Sequence, residues 1–195
     1  MPITLRPALP LDIDALWTLR TVAVRVSCAT HYAPEQIAVW TASPVPDFYP
    51  AMLAAGDGIV AMQGETIAGY AMLDAVKHEV DAVFVDPARA GLGIGKRLLA
   101  ALEQLARGRG IARLHLSASL NAVPFYQAAG FISLREEAYA HPSGISLASV
   151  AMEKQLACLA RGSVCAPQRH QPGQRGDGKG AGAGAALRVC TCPRR

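Results

Sequence analysis

The chain has 195 residues, 51% of them hydrophobic, which is enough to bury the core of one domain and too short for two. It has no run of about 18 apolar residues to cross a membrane, and its N-terminus lacks a secretion signal, so the sequence predicts a cytoplasmic protein. The formal net charge of +4 comes from residues 161–195, with seven basic residues and one acidic residue, which argues against nucleic-acid binding by the folded part.

The N-terminal half predicts a strand, several helices and a hairpin. Residues 3–7 (ITLRP) predict a short strand, and Asp12 stands where it can cap an amphipathic helix. Residues 31–56 contain four prolines, which break helices, so short helices joined by loops are expected there. Two apolar runs separated by a Gly-Glu pair predict a β-hairpin over about residues 59–73.

The central segment predicts a strand, a glycine loop, a helix and a second strand. Residues 80–87 (VDAVFVDP) predict the first strand, and residues 96–110 place leucines on one helical face with a glycine at the end. Alternating apolar and polar residues predict the second strand over residues 112–119.

The rest of the core predicts a short helix and two strands. Asn121 is placed to cap the helix, with Pro124 in its first turn and Gly130 after its end. Strands are expected near residues 131–138 and 147–154. Together the elements predict a mixed sheet covered by helices.

The end of the chain has the composition of a disordered tail. Residues 161–195 contain seven glycines and almost no large apolar side chains, too few to offset the entropy of ordering. We therefore expect a folded domain over residues 1–157 and a Gly-rich basic tail over residues 158–195. Five cysteines form an odd set without C-x-x-C spacing, so neither a disulfide framework nor a metal site is predicted. They are Cys28, Cys158, Cys165, Cys190 and Cys192.

The glycine loop comprises Ala90, Gly91, Leu92, Gly93, Ile94, Gly95 and Lys96. Between a strand and a helix, main-chain N–H groups and the positive helix end favour phosphate binding, with a flexible turn as the simpler alternative. A Walker loop would need glycine and Ser or Thr where Ala90 and Arg97 stand. The alternate glycines do not match G-x-G-x-x-G, and the loop does not open a βαβ domain, which argues against a dinucleotide fingerprint.

Two segments resemble motifs of the GNAT acetyltransferase superfamily. Residues 83–99 (VFVDPARAGLGIGKRLL) are similar to its strand, pyrophosphate loop and helix, with Gly93 and Gly95 in the last two positions of [QR]-x-x-G-x-[GA]. Residues 120–131 (LNAVPFYQAAGF) are similar to its second cofactor-contacting motif, with a tyrosine before Gly-Phe. The resemblance covers roughly residues 2–156.

The sequence departs from the family at two positions. Ala90 stands where the family has Gln or Arg, with Arg89 beside it, so one side-chain contact is missing or displaced. Ser119 stands where many members have Asn, and Asn121 follows two residues later. Main-chain phosphate binding should survive the first change, and the second leaves open which side chain contacts the coenzyme.

The resemblance implies a fold and a reaction. The fold is α/β (α+β), a GNAT-like mixed, mostly antiparallel central sheet flanked by helices, with a splay between strands 4 and 5. The reaction is acyl transfer by an N-acetyltransferase, from the cosubstrate acetyl-CoA to a primary amine of a small molecule or peptide, by direct attack in a ternary complex. The alternative is a non-catalytic CoA-binding or regulatory module. Neither nucleic acid nor membrane is an implied partner, and the oligomeric state is left open.

The resemblance also implies a set of site residues. Acetyl-CoA would contact Val83, Phe84, Val85, Ala90, Gly91, Leu92, Gly93, Ile94, Gly95, Lys96, Arg97, Ser119, Asn121 and Tyr126. Glu79 matches a catalytic glutamate of some members, and Asp81, on the same strand face, is the second candidate for the base. Tyr126 matches the tyrosine that acts as general acid on the sulfur. Either carboxylate is also compatible with a solvated strand residue. A core aromatic is the alternative for Tyr126, and the motif match argues against it.

Overall fold

The computed structural model describes residues 1–156, and the predicted tail over residues 158–195 lies outside them. Within this described part, seven strands form one sheet. The strands are β1 (Ile3–Pro7), β2 (Gly58–Gln63), β3 (Thr66–Asp74), β4 (Glu79–Val85), β5 (Arg113–Ser119), β6 (Ile132–Ala140) and β7 (Ser146–Gln155).

Helices cover both faces of the sheet. Prolines stand in the first turns of the second, third and fifth helices, where the missing N–H group is not needed. None of the helices in residues 1–156 has the length and apolar character that a membrane crossing requires. The helices are α1 (Ile13–Ser27), α2 (Pro34–Thr41), α3 (Tyr49–Ala54), α4 (Ile94–Gly108) and α5 (Val123–Ala128).

The sheet order is β1-β2-β3-β4-β5-β7-β6. Neighbouring strands are antiparallel except β4 and β5, which run parallel. Helix α4 makes the crossover between these two, because parallel neighbours cannot be joined by a tight turn. The predicted mixed, mostly antiparallel sheet flanked by helices is therefore confirmed.

A β-bulge in β4 begins the separation of β4 from β5. Consecutive residues of β3 pair with Val80 and Ala82, so Asp81 between them is the extra residue of the bulge. A bulge bends its strand and increases the local twist. Within the described residues, β4 and β5 are in register at one pair, Glu79 and His115. The predicted splay between the fourth and fifth strands is therefore present.

The sheet separates two hydrophobic cores. One core lies against α4 and α5 and contains Leu98, and the other lies against α1, α2 and α3 and contains Trp40. Along the end of β4, Val83 and Val85 belong to the first core, whereas Phe84 belongs to the second. This alternation is that of an extended strand buried on both faces.

Gly69 in β3 allows α4 to approach the sheet closely. A Cβ atom at Gly69 would lie 2.8 Å from the carbonyl oxygen of Phe84, 3.1 Å from Leu98 Cδ1 and 3.2 Å from Ile94 Cγ2. Because Ile94 begins α4, this close packing holds the N-terminus of the helix beside the end of β4.

Two predicted helix caps are wrong. Helix α1 begins after Asp12, but the Asp12 carboxylate accepts hydrogen bonds from Arg6 and the Leu9 N–H group instead of capping α1. Helix α5 begins after Ala122, and Asn121 lies within the 3-10 turn that precedes it. Asp12 likewise lies in a 3-10 turn before its helix. The sequence pattern does not distinguish such a turn from the first turn of the helix.

Candidate active site

The glycine loop, residues 90–96, adopts a conformation that depends on glycine. Gly91 and Gly93 have φ angles of +83° and +72°, in the left-handed region where side chains cause strain. Gly93 precedes α4 and accepts the first backbone bond of the helix, from the Arg97 N–H group. Helix geometry leaves the N–H groups of residues 94–96 without an intrahelical acceptor. With the positive end of the helix dipole, these groups favour an anion at this point.

A cavity of about 160 Å³ lies at the glycine loop. Among the predicted coenzyme contacts of the loop, Leu92 and Arg97 do not line the cavity and are exposed. Phe125 lines it and was not predicted, although its position directly before Tyr126 in the second motif was an available signal. The cavity is lined by Val85, Arg89, Ala90, Gly91, Gly93, Ile94, Gly95, Lys96 and Phe125.

Arg89 does not supply the Gln or Arg side chain that the resembled motif has at the position of Ala90. Arg89 Nε donates to Gln63 Oε1 at 2.8 Å, and the guanidinium pairs with Asp86. The Arg89 side chain is therefore held by Gln63 of β2 and by Asp86, which directly follows β4. For the predicted anion site, the loop therefore offers main-chain N–H groups and the exposed Lys96.

Residues 83–85 form the end of β4 beyond the bulge. They pair with β3, and their side chains are buried. Their other edge faces the gap from which β5 has diverged. Such a strand edge can pair with an extended ligand that carries amide groups, as it would with an added strand.

Ser119 and Asn121 form one hydrogen-bonded unit at the end of β5. Ser119 Oγ donates to Asn121 Oδ1 at 2.8 Å, and Cys28 Sγ donates to the same oxygen at 3.4 Å. Burial raises the pKa of Cys28 to about 12, so its thiol stays protonated. Ser119 is fully buried and Asn121 only partly, which makes Asn121 the more accessible of the two.

Tyr126 lies in the core on the α4 side of the sheet. It is 0% exposed and packs edge-on against Phe125 and Phe131, with ring centroids 5.0 and 5.6 Å apart. Its neighbour Phe125 reaches the cavity at the glycine loop. Tyr126 itself does not line that cavity, but its ring packs against Phe125, which does.

Glu79 and Asp81 occupy different positions relative to the splay. Glu79 begins β4 and faces His115 at the register pair where β4 and β5 still meet. Asp81 is the bulge residue, is 2% exposed, and accepts a hydrogen bond of 3.0 Å from the Tyr49 hydroxyl. Burial, followed by the charge of Asp81, raises the pKa of Tyr49 well above its usual value, so Tyr49 remains the donor.

A second cavity, of about 450 Å³, opens between α1, the loop before α3 and the end of β6. We call it the Arg20 cavity, after the buried arginine of α1 in its wall. Sequence reasoning missed it, because an arginine on an amphipathic helix is normally assigned to the solvent face. It is lined by Trp17, Arg20, Ser43, Pro44, Val45, Pro46, Asp47, Phe48, Tyr139, His141 and Pro142.

Three histidines differ in their relation to these cavities. His141 lines the Arg20 cavity, and burial together with the charge of Arg20 lowers its pKa to about 4, so it is neutral at physiological pH. Its Nδ1 accepts the Ser143 N–H group at 3.2 Å, which leaves the proton on Nε2. His31, in the segment between α1 and α2, is exposed and lies outside the lining of that cavity. His115 is exposed on β5.

Comparisons with known proteins agree with this architecture. A family model described as an acetyltransferase (GNAT) domain matches residues 28–156. The protein named uncharacterized N-acetyltransferase YafP, from Escherichia coli (strain K12), is 27% identical over 135 residues, which are 69% of this chain and 85% of YafP.

Solved structures show the same fold. The GCN5-related N-acetyltransferase (aminotransferase, class II) of Rhodopseudomonas palustris superposes with a TM-score of 0.70 at 28% identity, covering 80% of this chain and 97% of that one. PaiA N-acetyltransferase of Thermoplasma acidophilum, solved in complex with coenzyme A, superposes with a TM-score of 0.59 at 18% identity, covering 80% and 99%. The second likeness extends to the fold alone.

Proposed function

This chain belongs to the GNAT acetyltransferase family, and from that premise we propose that it transfers the acetyl group of acetyl-CoA to a primary amine of a small-molecule or peptide acceptor. The amine attacks directly, in a ternary complex of the chain with both substrates. The observation that carries the proposal is the glycine loop at the start of α4, beside the gap between β4 and β5.

The residues around the loop fit coenzyme A. The N–H groups of residues 94–96 and the charge of Lys96 suit a diphosphate. A Cβ atom at Gly93 would meet no atom within 4 Å, so the main chain there is open to a ligand. The edge of residues 83–85 suits the amides of pantetheine, and Asn121 is the accessible polar side chain at the end of β5.

Asp81 is our choice for the base. The bound thioester supplies an electrophilic carbonyl carbon, to which the C–N bond forms as the C–S bond breaks. The amine must be neutral to attack, so a carboxylate has to accept its proton, directly or through water. The bulge position of Asp81, where the strands separate, supports it over Glu79, which begins β4 where the strands still pair. Glu79 remains the second candidate.

Tyr126 is our choice for the acid that gives a proton to the departing sulfur. Its place behind Phe125, which lines the loop cavity, supports this role. Tyr126→Phe should lower turnover about tenfold or more and leave the affinity for acetyl-CoA unchanged. Phe125→Leu should instead weaken acetyl-CoA binding, because that ring touches the cavity. An unchanged rate in Tyr126→Phe would remove Tyr126 from the mechanism.

The experiment for the whole proposal combines calorimetry with acetyl-CoA and an assay of thiol release over a panel of amines. Lys96→Glu reverses a charge at the loop and should weaken acetyl-CoA binding about tenfold or more. Lys77→Glu makes the same charge reversal in the exposed turn between β3 and β4, and should leave binding unchanged. The absence of any affinity for acetyl-CoA in the unaltered protein would overturn the proposal.

A non-catalytic coenzyme-binding module is the second candidate. The observation in its favour is Ala90, which adds no polar side chain, while Arg89 is held by Gln63 and Asp86. Tight binding of acetyl-CoA without thiol release for any amine would select this alternative.

A further inference from the structure

Arg20 is a buried cation in the wall of the Arg20 cavity. It is 3% exposed, and its Nη2 donates to the Trp40 carbonyl oxygen at 3.2 Å and to Ser43 Oγ at 3.4 Å. The guanidinium carbon lies 4.2 Å from the centroid of the Trp17 ring. These contacts fix the position of the guanidinium without neutralising its charge.

The other terminal nitrogen of Arg20 is unsatisfied. Nη1 is buried and has no hydrogen-bond partner among the residues the structure describes, and Arg20 is not part of the eight ion pairs found among them. Burying a charged group with an unsatisfied donor is unfavourable, and an anion in the adjoining cavity is a candidate partner for it.

We propose that Arg20 binds the carboxylate of the acceptor, and that the acceptor is a small amino acid-like molecule with an amine, one carboxylate and an apolar body. The inference rests on the proposed acetyl transfer, whose acceptor it specifies. Arg20 is then the residue that determines specificity.

The residues that line the cavity suit a ligand with an apolar body and one carboxylate. Trp17, Phe48 and Tyr139 give it aromatic walls, and its volume of about 450 Å³ lies in the range of small-molecule sites. Apart from Arg20, the charged lining residue is the exposed Asp47, and His141 is neutral. One guanidinium without further positive charge suits a single carboxylate better than a phosphate dianion.

Two aromatic side chains connect the wall of the cavity to the proposed base. The Trp17 ring contacts Tyr49 edge-on, with centroids 5.8 Å apart, and the Tyr49 hydroxyl donates to Asp81. A carboxylate held by Arg20 would therefore anchor the acceptor next to the aromatic pair that backs Asp81. Binding of the carboxylate would thereby also orient the amine for its attack on the thioester.

The test compares matched pairs of amines that differ only in the carboxylate: phenylalanine with phenethylamine, and leucine with isoamylamine. The unaltered protein should favour the amino acids by about tenfold or more in kcat/KM. Arg20→Met should remove that preference by lowering activity on the amino acids, with activity on the plain amines and the affinity for acetyl-CoA retained. Arg25→Met, on the exposed side of the same helix, should behave as the unaltered protein.

Two outcomes would overturn the proposal. The first is the absence of a preference for the carboxylate in both pairs, and the second is an equal loss by Arg20→Met on amino acids and plain amines. If Arg20→Met does not fold, Arg20→Lys takes its place, with a reduced preference expected.

Binding of 3-phenylpropionate separates this inference from the proposed function. This acid lacks the amine, and calorimetry should detect its binding to the unaltered protein and not to Arg20→Met, whether or not any amine is acetylated. Absence of acetylation would contradict the proposed acetyl transfer. Equal binding of 3-phenylpropionate by both proteins would contradict the proposed binding of a carboxylate by Arg20.

Discussion

The glycine loop and the Arg20 cavity are built in opposite ways. The loop comes from one continuous stretch, residues 90–96, and offers mainly main-chain groups to a ligand. The Arg20 cavity comes from α1, the loop before α3 and the end of β6, and offers side chains. A main-chain site tolerates changes of sequence and can be common to a family, whereas a side-chain site can differ from one protein to the next.

The largest effect we expect comes from changing Asp81, the proposed base that accepts the proton of the acceptor amine. Asp81→Asn should lower turnover about 100-fold or more, because the amide cannot accept the proton while its oxygen can still accept the Tyr49 hydroxyl. The loss should be greatest at low pH, where the acceptor amine is protonated, as steady-state rates across pH would show. Glu79→Gln serves as the comparison, and a larger loss in Glu79→Gln than in Asp81→Asn would exchange the two assignments.

The next effect concerns the packing that supports the glycine loop. Gly69→Ala would place a Cβ atom 2.8 Å from the Phe84 carbonyl oxygen, so the free energy of unfolding should fall by about 1–3 kcal/mol in urea titrations. Gly108→Ala is the matched control in α4, where an added Cβ meets nothing within 4 Å and should raise that free energy by about 0.5–1 kcal/mol. Equal stability of the two variants would contradict the close approach of α4.

A smaller effect follows from His141 in the Arg20 cavity. Burial and the charge of Arg20 lower its pKa to about 4, whereas the pKa in the unfolded chain is about 6.5. Between these values the unfolded chain binds a proton at His141 that the folded chain does not. The contribution of His141 to the free energy of unfolding is therefore complete above pH 6.5 and is lost as the pH falls toward 4.

His141→Gln removes this titration, and its Tm should therefore fall less between pH 7 and pH 5 than that of the unaltered protein. The matched control is His31→Gln, which makes the same change at an exposed histidine outside the Arg20 cavity. Parallel Tm curves for His141→Gln and the unaltered protein would show that His141 does not titrate in this range.

The smallest effect is expected outside both sites. We propose that residues 1–157 form the domain, so a chain ending at residue 157 should keep the Tm and the acetyl-CoA affinity of the full chain. Scanning calorimetry and titration of the two proteins measure this directly. A truncated protein that is insoluble would move the boundary.

The sequence predictions were accurate for features formed by one continuous stretch of chain, and less accurate for features that depend on more distant contacts. The strand, glycine loop and helix were predictable because periodicity and glycine spacing are local properties, and the structure has them as β4, residues 90–96 and α4. The caps at Asp12 and Asn121 were wrong because the preceding 3-10 turns resemble helix starts in sequence. The roles of Glu79, Asp81 and Tyr126 remain predictions.

The sequence alone predicted the order of the elements, the family resemblance and an anion site formed by main-chain groups, because each depends on residues close together in the chain. Only the tertiary structure decided that Asp81 is the bulge residue, that Arg89 is held by Asp86 and Gln63, and that Arg20 is buried. Register, ion pairing and burial depend on contacts between segments far apart in sequence, and no local pattern encodes them.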